Sequence, residues 1–212
     1  MWHKGPTPNI SGESSSVPKI VDHDVRRLEL VDATWRIIAR LGIEGATMRE
    51  IATEAGFANG ALKPYFPSKD TLLTFAFSHV FNRTNERIEA VTAGRSGIAA
   101  LRAFCVEVLP LDEERINEAR IVIPFWQKAV NDPEKAAIHR ESMDQWHAAL
   151  LGYLAEARES GDVTTGVDDA VLGGHLLNML LGAQITAALA PGGQGDLGLS
   201  EQLEGFLALL TR

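Results

Sequence analysis

The stretch from Thr47 to Lys69 gathers side chains suited to the edges of bases and to phosphates. The Asn59 amide can pair twice with an adenine, and the Lys63 ammonium can address a guanine or a phosphate. Tyr65 can donate its hydroxyl to a phosphate, and Arg49 can reach a sugar-phosphate backbone or a base edge. Thr47 and Lys69 fall where helices are expected to begin, and there unpaired N–H groups and the positive dipole end favour an anion. Gly60 and Ala61, with Asn59 and Lys63, point outward from a segment narrow enough to enter a major groove. Arg26 and Arg27 precede or open an earlier helix and suit the backbone or the minor groove. The bland reading of each is a solvated surface residue, and for Thr47 the structural cap and the phosphate contact are compatible.

Spacing shows what must hold these groups. Met48, Ile51, Ala52 and Ala55 recur at helical intervals and give a short helix one buried face. Thr47 stands at its N-cap, and Gly56 follows the last apolar residue, where a helix ends at positive φ. Phe57 plugs the turn, and Leu62 and Phe66 return to the same core from a second short helix. Ala52 is small where two steeply crossing helices approach. Pro64 removes an N–H from that second helix and crowds the carbonyl of Gly60, so the helix is expected to tighten or end there. Taken alone, the pattern also fits an ordinary pair of antiparallel helices.

The flanks narrow the choice. Val31, Trp35, Ile38 and Leu41 form an apolar stripe on a helix ending at Leu41-Gly42. Pro67-Ser68-Lys69-Asp70 starts another, with Ser68 as N-cap. With Phe66, Lys69, Leu72 and Leu73 in an F-x-x-K-x-x-L-L pattern, residues 25 to 73 resemble the DNA-binding domain of TetR-family transcriptional regulators. One departure is Lys63, where the family usually carries a tyrosine. The resemblance implies an all-α fold of about nine helices. It also implies a flexible arm at 1–20, a helix-turn-helix domain at 21–68 and a ligand-binding and dimerisation domain at 69–212. The implied function is a homodimeric repressor that binds a palindromic double-stranded operator and is released by a small-molecule effector.

Downstream the chain reads as a succession of helices: 69–92, 97–109, 112–131, a long one opened by Asp132-Pro133-Glu134 and ended near Gly161, then 167–190 and 199–212. The helix at 167–190 is apolar on more than one face, which a single subunit covers poorly. With the stripe Leu203, Phe206, Leu207 and Leu210 on the last helix, it is the expected dimer interface; the other reading is a central core helix. Gly173, Gly174 and Gly182 suit close helix crossings. For the effector, Pro124 is expected to kink its helix. Trp126 and Trp146 follow on neighbouring helices, with Phe77, Phe81, Phe104, His147, Asn178 and Met179 as further wall candidates. Plain core packing accounts for any of these aromatics equally. The segment 112–163 resembles the C-terminal region of betaine- and choline-responsive regulators, and indole faces can hold a quaternary ammonium by cation–π attraction.

Composition sets the outer bounds. The 212 residues carry a formal charge of −8, which looks unfavourable for a nucleic-acid partner. Residues 21–92, however, hold nine Lys/Arg against ten Asp/Glu, whereas 93–212 hold nine against seventeen, so the acidity lies away from the motif. The single cysteine, Cys105, sits in an apolar helical run and reads as a core residue in a reducing compartment. No apolar run free of polar breaks is long enough for a membrane span, and residues 1–20, rich in Ser, Pro and Gly, have no apolar signal core. A cytoplasmic location is expected. The six histidines form no i,i+4 pair, and no nucleophile elbow, phosphate loop or C-x-x-C is present. No enzyme activity, metal or cofactor is therefore expected. The competing reading is a helical small-molecule-binding or interaction protein that never touches DNA.

Overall fold

A computed structural model describes residues 23–58, 60–190 and 198–211; the arm at 1–20 and Asn59 lie outside them. Among the described residues there are eight helices and no strand: α1 His23–Gly45, α2 Met48–Glu54, α3 Lys69–Thr92, α4 Gly97–Val108, α5 Glu113–Ala129, α6 Pro133–Glu159, α7 Asp169–Leu189 and α8 Leu199–Leu210. A run of tight turns from Gly60 to Tyr65 stands in the place of the second motif helix.

Local chemistry sets most boundaries. Thr47 and Glu50 form a reciprocal cap at the start of α2, and Ser68 and Thr71 do the same for α3. Asp132 caps α6, with Pro133 at the first helical position. Gly42, at φ 70°, breaks α1 where its apolar stripe ends.

The apolar residues form two clusters joined along α3. The first holds Leu30 and Ile37 of α1, Ile51 of α2, Leu62, Phe66, and Leu72 and Phe77 of α3. Ile121, Val122 and Phe125 of α5 complete it, so this core is closed by a helix from the second half of the chain. The second cluster holds Leu101 and Phe104 of α4, Leu150 and Leu154 of α6, Leu176 and Leu180 of α7, and Leu203 and Leu207 of α8, with Ile88 from the far end of α3. Cys105 lies inside it, and burial pushes its thiol up to about 12. α5 continues through its internal proline, Pro124, to Ala129.

The expectation that no segment suits a membrane needs one correction. Asp169–Leu189 is long and apolar enough by length and hydropathy, the polar groups in it being too few to lower its mean. In the fold Leu172, Leu176, Leu180, Ala183 and Ala187 pack inward while Val171, Ile185 and Leu189 are exposed. Gly173 meets α6 closely: a Cβ there would lie 3.2 Å from His147 Nε2, whereas Gly174 and Gly182 face open space.

Candidate functional site

Two places carry chemistry: the surface built by α2 and the turns after it, and a cavity among α3, α4, α5, α6 and α7.

At the end of α2, Gly56 takes φ 73°, its N–H reaches the Thr53 carbonyl at 3.1 Å, and the Phe57 N–H reaches the Ala52 carbonyl at 2.8 Å. This closure turns the chain sharply. From there the backbone bonds run Ala61 to Ala58 (3.0 Å), Lys63 to Gly60 (3.4 Å) and Tyr65 to Leu62 (2.9 Å) at i→i+3 spacing, and Phe66 then returns to an i→i+4 bond, with Leu62 at 2.8 Å. Such a run is tighter than an α-helix. The expected second short helix is corrected accordingly: Pro64 supplies no N–H, and Gly60 sits at φ 89°, so regular helical bonding is interrupted at both ends of the segment. Leu62 and Phe66 still enter the core, as their spacing demanded.

Lys63 and Gly60 are exposed and Ala61 is half-buried. Arg49, Lys63 and Gly60 line one open groove of about 340 Å³ with Met48 and Pro67. Tyr65 is half-buried, its ring 5.0 Å from His23 and edge-on to Phe57 at 5.9 Å. The remaining candidates are tied down. Thr47 Oγ donates to Glu50 at 2.6 Å, and these hydrogen bonds hold the Glu50 carboxyl below its usual range, leaving an anion at the α2 N-terminus. Lys69 donates to the Ile43 carbonyl, stapling α3 to the end of α1. Arg26 pairs with Glu29 and lies over the Phe57 ring; Arg27 lies over Phe66 and Phe75 at 5.4 and 5.2 Å. Arg49 and Lys63 are thus the basic side chains that share the groove beside the turn.

The inner cavity, of about 40 Å³, is walled by Phe81, Thr84, Glu107, Glu118, Trp126, Trp146 and Gln184, with Val80, Val108, Val122, Met143 and Leu181. Of the wall candidates, Phe81, Trp126 and Trp146 line it. Phe77 lies in the first cluster against Phe125, and Phe104 stands behind Trp146 at 6.0 Å. His147 packs against Gly173, Met179 packs on the second cluster, and Asn178 is exposed on α7. The polar wall residues Thr84, Glu107, Glu118 and Gln184 escaped the sequence reading. Their signal was a polar residue at an inward helical position, charged in the case of Glu107 within Phe104-Cys105-Val106-Glu107-Val108.

Glu107 and Glu118 are buried with two arginines. Arg87 Nε reaches Glu107 at 2.6 Å, and its two terminal nitrogens reach both oxygens of Glu118 at 3.0 and 2.9 Å. Arg115 Nη2 holds both oxygens of Glu107 at 3.0 Å. Burial alone lowers the Arg87 pKa, but the bonds to Glu118 and Glu107 outweigh it and keep the guanidinium above its usual value. Trp146 Nε1 donates to Asn85 at 2.8 Å, and Gln184 Nε2 to the Val108 carbonyl at 2.6 Å. Among the described residues, the buried Nε1 of Trp126 and Nδ1 of His139 have no hydrogen-bond partner.

Comparison with known proteins supplies what geometry leaves open. Residues 30–74 match the bacterial regulatory proteins of the tetR family, and residues 97–211 match the C-terminal region of BetI-type transcriptional repressors. The chain belongs to the TetR family of transcriptional regulators. This regulator is 34% identical to PksA of Bacillus subtilis over 143 residues, 66% of its own length and 69% of that protein. It is 26% identical to BetI of Burkholderia lata over 184 residues, 82% of its length and 92% of that protein. In fold it is similar to a regulator from Saccharomonospora viridis solved in complex with choline, with a TM-score of 0.78, 20% identity, and coverage of 87% of this chain and 96% of that one. The regulator therefore carries a helix-turn-helix DNA-binding domain, here with its second helix drawn into tight turns.

Proposed function

We propose that the protein is a homodimeric repressor whose reading head, residues 21–68, binds a palindromic operator, and whose remainder, 69–212, binds a small effector and the partner subunit. The observation that carries the effector half of this reading is the double role of α5. Phe125 is part of the reading-head core, and its neighbour Trp126 is a wall of the inner cavity. A second link lies alongside: Asp70, in the first turn of α3, is bound by Lys135 at 2.7 Å and lies 3.5 Å from Lys128. A ligand that moves α5 must therefore disturb the base of the head. It releases DNA only in so far as it binds the displaced arrangement more tightly than the resting one.

The contact surface for DNA centres on Arg49 and Lys63, with Asn59, Gly60, Ala61 and Tyr65 beside them and Arg26, Arg27, Thr47 and Lys69 at the margins. Pairing of subunits through α7 and α8 is supported by their uncovered apolar side chains: Leu189 is 76% and Leu209 57% exposed in the single chain, with Val171 and Ile185 alongside. Two heads fixed by that interface would read two half-sites at a set spacing. A cytoplasmic location follows from the DNA partner.

The test is a footprint and an anisotropy titration of the purified protein on the DNA flanking its own gene. A protected, two-fold-related site is the expected result. Salt-sensitive binding with no preferred site would leave an unspecific binder, and no binding at all would leave a helical small-molecule-binding protein.

A further inference from the structure

The effector cavity proposed above has a polarity of its own, and it differs from that of a cation receptor. Its two carboxylates, Glu107 and Glu118, are matched by Arg87 and Arg115, and each carboxylate is gripped through both oxygens. Arg115 meets a further carboxylate, Asp112, only at the exposed rim. A cationic ligand would have to compete with a guanidinium for a carboxylate and leave that arginine with only part of its pairing inside the protein, which is unfavourable. What stands unsatisfied is of another kind. Trp126 Nε1 is buried without an acceptor, and an indole N–H can only donate. His139, 5.8 Å away ring to ring, has a buried, unpartnered Nδ1, and burial lowers its pKa, so its imidazole stays neutral and can face the ligand as donor or acceptor.

Trp126 also divides two spaces. With Met143 and Leu181 it lines both the inner cavity and an outer groove of about 570 Å³ between α5, α6 and α7. The groove wall is mainly apolar, including Ala129, Val130, Ala136 and Ile185, and its charged residues Arg140 and Asp144 are of opposite sign. The inner space as it stands admits only a few atoms, so the body of a ligand must lie in the groove, with its end at the indole.

We propose that the effector is an uncharged, mainly apolar small molecule bearing a hydrogen-bond acceptor such as a carbonyl oxygen. The acceptor takes the Trp126 N–H, and the apolar part fills the groove between α5, α6 and α7. This rests on the reading of the cavity as the effector site.

Calorimetry and thermal melting of the full-length protein test it with straight-chain 2-alkanones of six to ten carbons, alkyltrimethylammonium ions of matched length, and choline. The alkanones are expected to bind and raise the melting temperature, and the cations to do neither. Trp126→Phe should weaken alkanone binding about five-fold, the share of one hydrogen bond. Ala136→Trp, which narrows the groove from α6 and keeps the Trp126 N–H in place as a donor, should weaken it by more while the oligomeric mass stays that of the unsubstituted protein. Tighter binding of the cations, no binding by any alkanone, or unchanged affinity in both variants overturns the proposal. An oligomeric mass that falls to that of a single subunit on Ala136→Trp also overturns it, since the groove would then be covered by a second copy. Operator anisotropy run in parallel separates the two readings: alkanone binding that leaves operator affinity unchanged defeats the effector role and keeps the ligand chemistry.

Discussion

The ring of Phe125 lies 4.0 Å from that of Phe77, with planes 11° apart, and both are buried. One ring belongs to α3, which leads out of the reading head; the other belongs to α5, whose next residue walls the cavity. Truncating Phe125→Ala should therefore destabilise the protein by about 3–5 kcal/mol. Urea unfolding measures this, and a loss under about 1 kcal/mol would mean the stacked pair is not part of the core.

Lys63 and Arg49 share an exposed groove. Lys63→Ala and Arg49→Ala should each weaken operator binding, and each should reduce the slope of log affinity against log salt by about two for a bound dimer, one per subunit, if the lost contact is to a phosphate. An unchanged slope with altered sequence preference would assign the side chain to a base edge. Unchanged affinity and slope together would remove it from the interface.

Glu118 is nearly enclosed, with 7% of its side chain exposed, and receives two bonds from Arg87. Glu118→Ala leaves that guanidinium partly unpaired, and a loss of about 3–5 kcal/mol is expected. Pairing the change with Arg87→Met should recover part of it. Two additive losses in denaturant melts would show that the pair is not coupled.

Acid should unfold the protein in part through its buried imidazoles. Burial, and for His79 the nearby Arg83 as well, holds His79 and His139 below the usual value. The unfolded chain then takes up protons first, so stability falls as pH drops below about 6.5, and above that both states are neutral and the effect vanishes. A melting temperature level from about pH 7 to 8 and falling below about 6.5 is expected. Substituting both by Phe should flatten the fall; an equally steep decline in that variant would place the cause elsewhere.

What the sequence disclosed was whatever local rules control. Thr47, Ser68 and the Asp132-Pro133 step mark helix starts because the capping chemistry lies within three residues. The two-sided apolar character of the helix at 167–190 was equally legible. The segment after Gly56 was read only in part: Pro64 announced a disturbance, but the positive φ of Gly60, which extends it over the whole segment, has no signature beyond the residue itself. The cavity was read least well. Trp126 and Trp146 were found by size, yet His147 and Asn178 turn elsewhere, since the rotation of each helix is decided by its neighbours. Arg87, Glu107 and Glu118 lie far apart in the chain and meet only when three helices pack.

The tight turns between Gly60 and Tyr65 bear on docking. A proline ring and the short-span backbone bonds from Lys63 to Gly60 and from Tyr65 to Leu62 hold this stretch bent before any duplex arrives. Little main-chain freedom is left to surrender on contact, so the penalty for ordering falls chiefly on the long side chains of Lys63 and Arg49. Mutual fit between this surface and its target would then be decided by the curvature of the nucleic acid more than by that of the protein.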